Sequence, residues 1–474
     1  MKKILLIIAL AIPFMGYSQA KKKPNIIIIL ADDLGWGDVG FHGSDIKTPN
    51  IDQLSKDGVV LNRYYTAPIC SPTRVGLLTG RYPNRAGIRD ATIPPWSSFG
   101  LDTSEVLLPQ MLATAGYKNR AIIGKWHLGH NTLQFHPMRR GFTHFYGFLN
   151  GALNYFTHVR DGEADWQNDY EPSADKGYTT ELLTKEAIKC IKNYSNDKAP
   201  FFMYLAYNSP HGPLQAPEKY LKMYGYDPAK PKFRGGGEEG MGDTEQGKGN
   251  TMKQTYAAMV TCMDDGIGQV LQALKAQHID DNTLILFHSD NGAAGNGNTG
   301  SHGELRGFKF DEWEGGVRAP AVIKWPAAGL AGGRVIEQVM GYVDVFPTLK
   351  DIAGVKTPAK KPFDGISIWP LLSGKVQKFD REFYLGHGAI INGNWKLVED
   401  RGINAMKIQG DMLFSIPGDY AETTDVKAAN PDIYGSLKSA AAKFDTIKPK
   451  AVLLSKGPKN GFIAPKNWKI TKEK

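Results

Sequence analysis

Cysteine is scarce in this chain: Cys70, Cys190 and Cys262 are the only three in 474 residues. So small and odd a set builds no disulfide framework. Nothing resembles a complete zinc motif either. His127 and His130 stand three residues apart but lack a nearby acidic partner. Beyond the first twenty residues there is no run of eighteen apolar residues, so no membrane-spanning helix is expected. No internal repeat is visible. A charged share of 22% with an aromatic share of 11% excludes a disordered chain and a coiled coil. The excess of 57 Lys plus Arg over 48 Asp plus Glu is modest and dispersed. It suits a polyanionic substrate, and no nucleic-acid partner is expected.

The first twenty residues read as an export signal. Lys2 and Lys3 form the positive segment, Ile4 to Phe14 the apolar one, and Gly16 to Ala20 a small-residue cleavage zone. The expected mature protein is periplasmic or secreted and soluble. Loss of those two lysines takes the net charge from +9 to +7. No cysteine lies near the cleavage zone, so no lipid anchor is expected.

Four continuous apolar runs follow: Asn25 to Ala31, Ala121 to Ile123, Phe201 to Ala206 and Thr283 to Phe287. Such runs suit strands buried on both faces of a parallel sheet. Helical spacing is expected over Thr48-Pro49 to Gly58, Thr103 to Ala115, Thr180 to Asn193 and Thr251 to Gln277. Cys190 and Cys262 fall on apolar helical stripes and read as core. The fold class is therefore α/β, a large mostly parallel sheet sandwiched by helices. From about residue 375, short runs alternate with turns before a helix from about Tyr434 to Phe444. This predicts a smaller C-terminal antiparallel sheet plus one helix. The division is 1–20 signal, 21–374 catalytic domain and 375–474 C-terminal subdomain packed on it. Residues 235–249 hold seven glycines and read as a long loop, either a substrate-facing lid or a surface insertion.

Each strand leads into a polar cluster: Asp32-Asp33, Lys125 with His127, Pro210-His211, and Asp290-Asn291. In parallel sheets the ligand site lies beyond the carboxyl ends of the strands, so all four can converge. Adjacent carboxylates at the ends of buried strands need a compensating cation. Four hard oxygen donors favour calcium or magnesium over zinc. Cys70-Ser-Pro-Thr-Arg74 reads as a helix start, with Pro72 in the first turn and Gly80 past the end. Free N–H groups there favour an anion, and Arg74 stands on the same face to grip it. A reactive thiolate at Cys70 is the plain chemical reading.

Cys70-Ser-Pro-Thr-Arg74 followed by Leu78-Thr-Gly-Arg81 resembles the signature of the type I sulfatases of the alkaline phosphatase superfamily. Composition alone gives about 0.006 Cys-x-Pro-x-Arg matches per chain. Ile29 to Asp38 and Ser289 to Gly292 resemble the family's two metal motifs, and Gly124 to Gly129 the segment carrying its Lys and His. Leu305 to Lys309 with Trp313 to Pro320 resembles the segment of its last catalytic Lys, with Phe308 where the family usually has Gly. Asn394 to Leu397 and Pro417 to Glu422 resemble its second subdomain.

The resemblance implies a calcium-dependent sulfatase, with magnesium the lesser choice. Its nucleophile is formylglycine (3-oxoalanine), made from Cys70 by a separate maturation enzyme. It implies catalytic roles for Cys70, Arg74, Lys125, His127, His211 and Lys309. Metal ligation falls to Asp32, Asp33, Asp290, Asn291 and the modified residue 70. Asn150 to His158 and Tyr178 to Glu181 are similar to arylsulfatase B, implying a sulfated carbohydrate cut at O4 of galactose or N-acetylgalactosamine type units. Asn154, His158, Arg89, His302, Arg306 and His387 are the expected sugar contacts; Trp96 and Trp313 are offered as stacking faces, with core packing the better reading for Trp313. Two alternatives stand beside this: a formylglycine-dependent phosphodiester or phosphonate monoester hydrolase, and a sulfated-glycan binding protein in which Cys70 is never converted.

Overall fold

The computed structural model describes residues 22–88, 92–235, 240–242, 244–295, 300–357, 359–401, 408–447 and 461–473. The expected export signal and Arg89 lie outside them. Ten strands form the main sheet: β1 (Asn25–Asp32), β2 (Val59–Leu61), β3 (Arg120–Lys125), β4 (His144–Phe148), β5 (Gln167–Asn168), β6 (Glu171–Pro172), β7 (Phe202–Pro210), β8 (Thr283–Ser289), β9 (Ala321–Lys324) and β10 (Arg334–Ile336). Their spatial order is β10-β2-β9-β8-β1-β7-β3-β4-β5-β6. The four strands expected from the apolar runs are its centre, all parallel: β8, β1, β7 and β3. Antiparallel pairing enters only toward the edges, at β8 with β9, β9 with β2, and β4 to β6.

β1 shows why an unbroken apolar run was needed. Successive side chains of a strand point to opposite faces. Ile27, Ile29 and Ala31 pack with the helices Thr179–Tyr194 and Met252–Ala276 on one face. Ile26, Ile28 and Leu30 pack with Cys70–Thr79, Leu108–Thr114 and Val345–Ile352 on the other. Both layers are dry, so a polar residue at either parity would have no water.

The helix expected over Thr103 to Ala115 spans only Leu108–Thr114. Pro109 stands in its first turn and has no N–H to bond back to residue 105, so the helix cannot begin earlier. An Asp102 carboxylate turn, accepting from Ser104 N at 2.8 Å, occupies the preceding residues instead.

The C-terminal sheet is four antiparallel strands, β11 (Glu382–Gly386), β12 (Ala389–Asn392), β13 (Trp395–Val398) and β14 (Met412–Ser415). Ile390, Leu397 and Leu413 face the helix Pro431–Asp445. Phe383, Ile391, Val398 and Phe414 face Tyr65, Trp313, Val317 and Tyr342 of the main body. A buried ionic cluster crosses that junction. Lys396 Nζ lies 3.0 Å from Glu314 and 2.9 Å from Glu422, all fully buried. Residues 461–473 then return to the main body. Trp468 is buried there against His130, with its indole N–H donating to Arg160 O at 2.8 Å. Among the described residues no helix is long and apolar enough to cross a membrane.

Candidate active site

Strand ends and one helix start meet on the carboxyl side of the sheet. β1 delivers Asp32 and Asp33, β8 runs into Asp290 and Asn291, β3 ends at Lys125 before His127, and β7 ends at Pro210 before His211. Asp33 and His127 have φ of 68° and 56°, left-handed values that turn each side chain out of its strand direction. The helix Cys70–Thr79 starts against them and stops at Gly80, whose φ of 70° only glycine adopts freely. Ser71 Oγ donates to His127 O at 3.1 Å, fastening the helix start to the β3 end.

The site is a dense ionic lattice. Lys125 Nζ meets Asp32 Oδ2 at 2.5 Å, Lys309 Nζ meets Asp33 Oδ1 at 2.7 Å, and Arg74 Nη2 meets Asp290 Oδ2 at 2.8 Å. His211 Nε2 is 3.7 Å from Asp33 Oδ2, and Asn291 Nδ2 donates to Asp33 Oδ1 at 2.7 Å. Cys70 Sγ faces His127 Nδ1 at 3.5 Å. Side-chain oxygens of Asp32 and Asp290 and the Cys70 sulfur all fall within 4.8 Å of one another. Among the described residues, two buried oxygens, Asp32 Oδ1 and Asn291 Oδ1, have no hydrogen-bond partner. Orphaned oxygens among three carboxylates are what a hard cation's ligands look like before it binds.

Burial alone would raise the pKa of every carboxyl here. For Asp32, Lys125, His211, Arg74 and Lys309 outweigh it and hold the group below the usual range. Asp33 is likewise lowered against burial, chiefly by Lys309 and His211. Asp290 is pushed up to about 7 by burial and by its neighbour Asp32. His127 is driven well below the ordinary imidazole value by burial, then by Lys125 and Arg74, so it is neutral at neutral pH. Burial pushes the Cys70 thiol up although Lys125 and Lys309 pull it down. This runs against the thiolate expected at a helix start: the desolvation of a fully buried sulfur outweighs the pull of Lys125 and Lys309.

A cavity of about 530 Å³ opens above the lattice. Asp33, Cys70, His127, His211 and Lys309 form its reactive end, and Pro94, Pro95, Trp96, Arg160, Tyr256 and Phe310 contribute to its walls. The six expected catalytic side chains and the four expected metal-binding side chains are thus brought together. The expected sugar contacts are not. Asn154 caps its own turn, accepting from Phe156 N and Thr157 N at 3.0 Å. His158 stacks on Trp166 and bonds Gly177 O. Arg306 lies over Trp313 and donates to Glu422 O, which makes both residues part of the junction with the C-terminal sheet. His302 packs edge-on against Phe308, and His387 lines a separate small pocket beside Glu312 and Tyr384.

None of these five lines the cavity, because local hydrogen bonds and ring contacts claim them. No described part of 235–249 lines it either. Met241 is buried, and Gly240 O accepts from Asp161 N. His130 is likewise no partner of His127 for zinc, since its Nε2 bonds Pro95 O at 2.8 Å. Arg160 and Phe310 were missed by sequence reasoning. Arg160 sits in a two-residue strand with no motif, and Phe310 is an ordinary apolar residue until its backbone is seen.

A family model described as Sulfatase matches residues 24–355. N-acetylgalactosamine-6-sulfatase of Mus musculus is 33% identical over 405 residues, which cover 80% of this chain and 72% of that protein. Arylsulfatase J of Mus musculus is 35% identical over 359 residues, 74% of this chain and 56% of that one. The crystal structure of Ps i-CgsB in complex with k-i-k-neocarrahexaose is similar at a TM-score of 0.78 and 31% identity, covering 90% of this chain and 94% of that one. An ionic lattice at the strand ends of a covered parallel sheet, with these relatives, defines a sulfuric ester hydrolase. The chain belongs to the sulfatase family.

Proposed function

We propose that this enzyme removes sulfate groups from a sulfated carbohydrate of galactose or N-acetylgalactosamine type, after export and after conversion of Cys70 to formylglycine by a maturation enzyme. The observation that carries the reading is the convergence of Arg74, Lys125 and Lys309 beside Cys70 and His127 at the closed end of a 530 Å³ cavity. The names of the relatives, N-acetylgalactosamine-6-sulfatase and a complex with neocarrahexaose, support the carbohydrate class. The O4 expectation rested on the segment 150–158, whose Asn154 and His158 are engaged elsewhere, so positions 4 and 6 both enter the test. We also propose the division at residue 375 between catalytic domain and C-terminal subdomain.

Formylglycine supplies, as its hydrate, the attacking oxygen at position 70. Asp32, Asp33, Asp290 and Asn291, with residue 70, would hold a calcium ion, which supplies positive charge beside the sulfate oxygens and the hydrate. The orphaned Asp32 Oδ1 and Asn291 Oδ1 fit that ion. So does the charge balance. Three carboxylates and three cations already neutralise one another, so Arg74, Lys125 and Lys309 turn to an anionic ester only when another cation satisfies the carboxylates.

Those three side chains then bind sulfate and the negative charge that grows on it. Neutral His127, with Nδ1 facing residue 70, accepts the proton of the attacking oxygen. His211 Nδ1 donates to Gly212 O at 2.7 Å, so the proton for the leaving group is assigned to Nε2, 3.7 Å from Asp33 Oδ2. From Nε2 that proton passes to the departing sugar oxygen. Mechanism and site roles share one test: free sulfate released from oligosaccharides sulfated at single known positions. The enzyme is co-produced with a maturation system and assayed with and without chelator. Release by the wild type, none by Cys70→Ala, and loss on chelation restored by calcium better than magnesium are expected. Alcohol release from phosphodiesters or phosphonate monoesters in place of sulfate release would overturn the reading.

A further inference from the structure

Phe310 follows Lys309, whose ammonium binds Asp33 at the reactive end. It is 45% exposed and lines the cavity. Its φ of 79° is the left-handed region that bulky L-residues avoid. The backbone is pinned there on both sides. Lys309 N donates to Ala293 O at 2.7 Å, Phe310 N to Pro68 O at 2.8 Å, and Asp311 N to Phe308 O at 2.9 Å. A half-exposed apolar ring on a strained backbone is a poor choice for folding alone, and strain that the surroundings enforce points to use. The same cavity wall carries Pro94, Pro95 and Trp96, further apolar surface around a site whose floor is ionic. The cavity, about 530 Å³, is far larger than a sulfate group and falls in the range of sites for whole small molecules.

Resting on the proposed sugar sulfatase activity, we propose that Phe310 is the specificity-determining platform of this enzyme, its ring face packing on the C–H face of the pyranose that bears the sulfate. The chemistry selects a configuration. In a galacto-configured ring the axial O4 leaves the hydrogens of C3, C4 and C5 on one side, a continuous apolar patch that an aromatic ring covers. In a gluco-configured ring the equatorial O4 breaks that patch. Lys309 Nζ stands 5.7 Å from the Phe310 ring centre, so a sugar on the platform presents its sulfate to the adjacent cation.

The test uses Cys70→Ala protein in calcium-containing buffer as a binding trap, with singly sulfated galacto- and gluco-configured oligosaccharides titrated calorimetrically. Phe310→Ala added to the trap is expected to weaken galacto binding about tenfold. Phe310→Trp should restore it, and affinity for inorganic sulfate should stay unchanged throughout. Phe310→Gly should weaken sugar binding equally while melting no lower than the parent, because glycine relieves the left-handed strain. Equal affinity with and without the ring, a preference for gluco sugars, or a parallel loss of sulfate affinity would each overturn the platform. Turnover by the wild type is read separately. Tight, Phe310-dependent binding without sulfate release would remove the proposed activity and leave the platform standing.

Discussion

Gly151→Ala tests whether His127 is held as tightly as catalysis by that ring demands. A Cβ at position 151 would stand 2.5 Å from both Cε1 and Nε2 of His127. Carbon contacts settle at about 3.5–4.0 Å, so ring or loop must give by about 1 Å. The ring has little room to yield. Its backbone N–H is bonded to Leu149 O at 3.1 Å, its carbonyl accepts from Ser71, and its Nδ1 faces Cys70 Sγ at 3.5 Å. A displacement of that size at a proton-accepting group costs about 100-fold in rate, or about 2.7 kcal/mol of transition-state stabilisation. Overpacking adds about 1–3 kcal/mol of lost stability.

The assay is sulfate release under saturating and subsaturating substrate, with thermal melting alongside. The loss should fall on kcat, since position 151 touches the base rather than the sulfate-binding cations. Gly435→Ala provides the contrast. That residue lies in the helix Pro431–Asp445 with nothing within 4 Å of its added Cβ. It should gain up to about 1 kcal/mol of stability and leave rate unchanged. A Gly151→Ala enzyme within threefold of wild-type kcat would refute the placement of His127 as base.

Lys396→Met leaves Glu314 and Glu422 facing each other in a fully buried junction, where Glu422 is already pushed up to about 7 by burial and by Glu314. Denaturant titration should show a loss of about 3–5 kcal/mol, partly recovered when Glu422→Gln is added; no loss would mean the cluster is hydrated. Trp468→Ala removes a buried indole that packs on His130 and bonds Arg160 O, and should cost about 3 kcal/mol or release residues 461–473 to protease. Unchanged melting and unchanged digestion would show the return segment to be passive. His127 must be neutral to accept a proton, and burial, Lys125 and Arg74 lower its pKa, so base function is lost only as pH falls below 6.5. The acid limb of kcat/KM should therefore lie below pH 6.5, and a limb at or above it argues for a different base.

What could be read from the chain alone was whatever is local or periodic. Four apolar runs of strand length needed two dry faces, and only a sheet covered on both sides provides them. Each run ends in polar residues, and in a parallel sheet all such ends lie on one side. Chain topology alone therefore gathered Asp32, Lys125, His211 and Asp290. The Cys70 to Arg74 segment carried its own helix start, and Gly80 its stop. The thiol's protonation was not legible, because it depends on how many distant groups exclude water from the sulfur.

The cavity walls escaped for a related reason. Asn154, His158 and Arg306 are polar residues of suitable type, but hydrogen bonds to their own turn, to Gly177 and to Glu422 take them out of use, and composition cannot show who reaches a partner first. Phe310 carries no signal until a left-handed backbone, imposed by bonds to Ala293 and Pro68, holds its ring in the open. The reactive floor follows from strand order, which hydrophobic burial dictates. The substrate-facing walls follow from competition among long-range contacts, and only the folded chain resolves that.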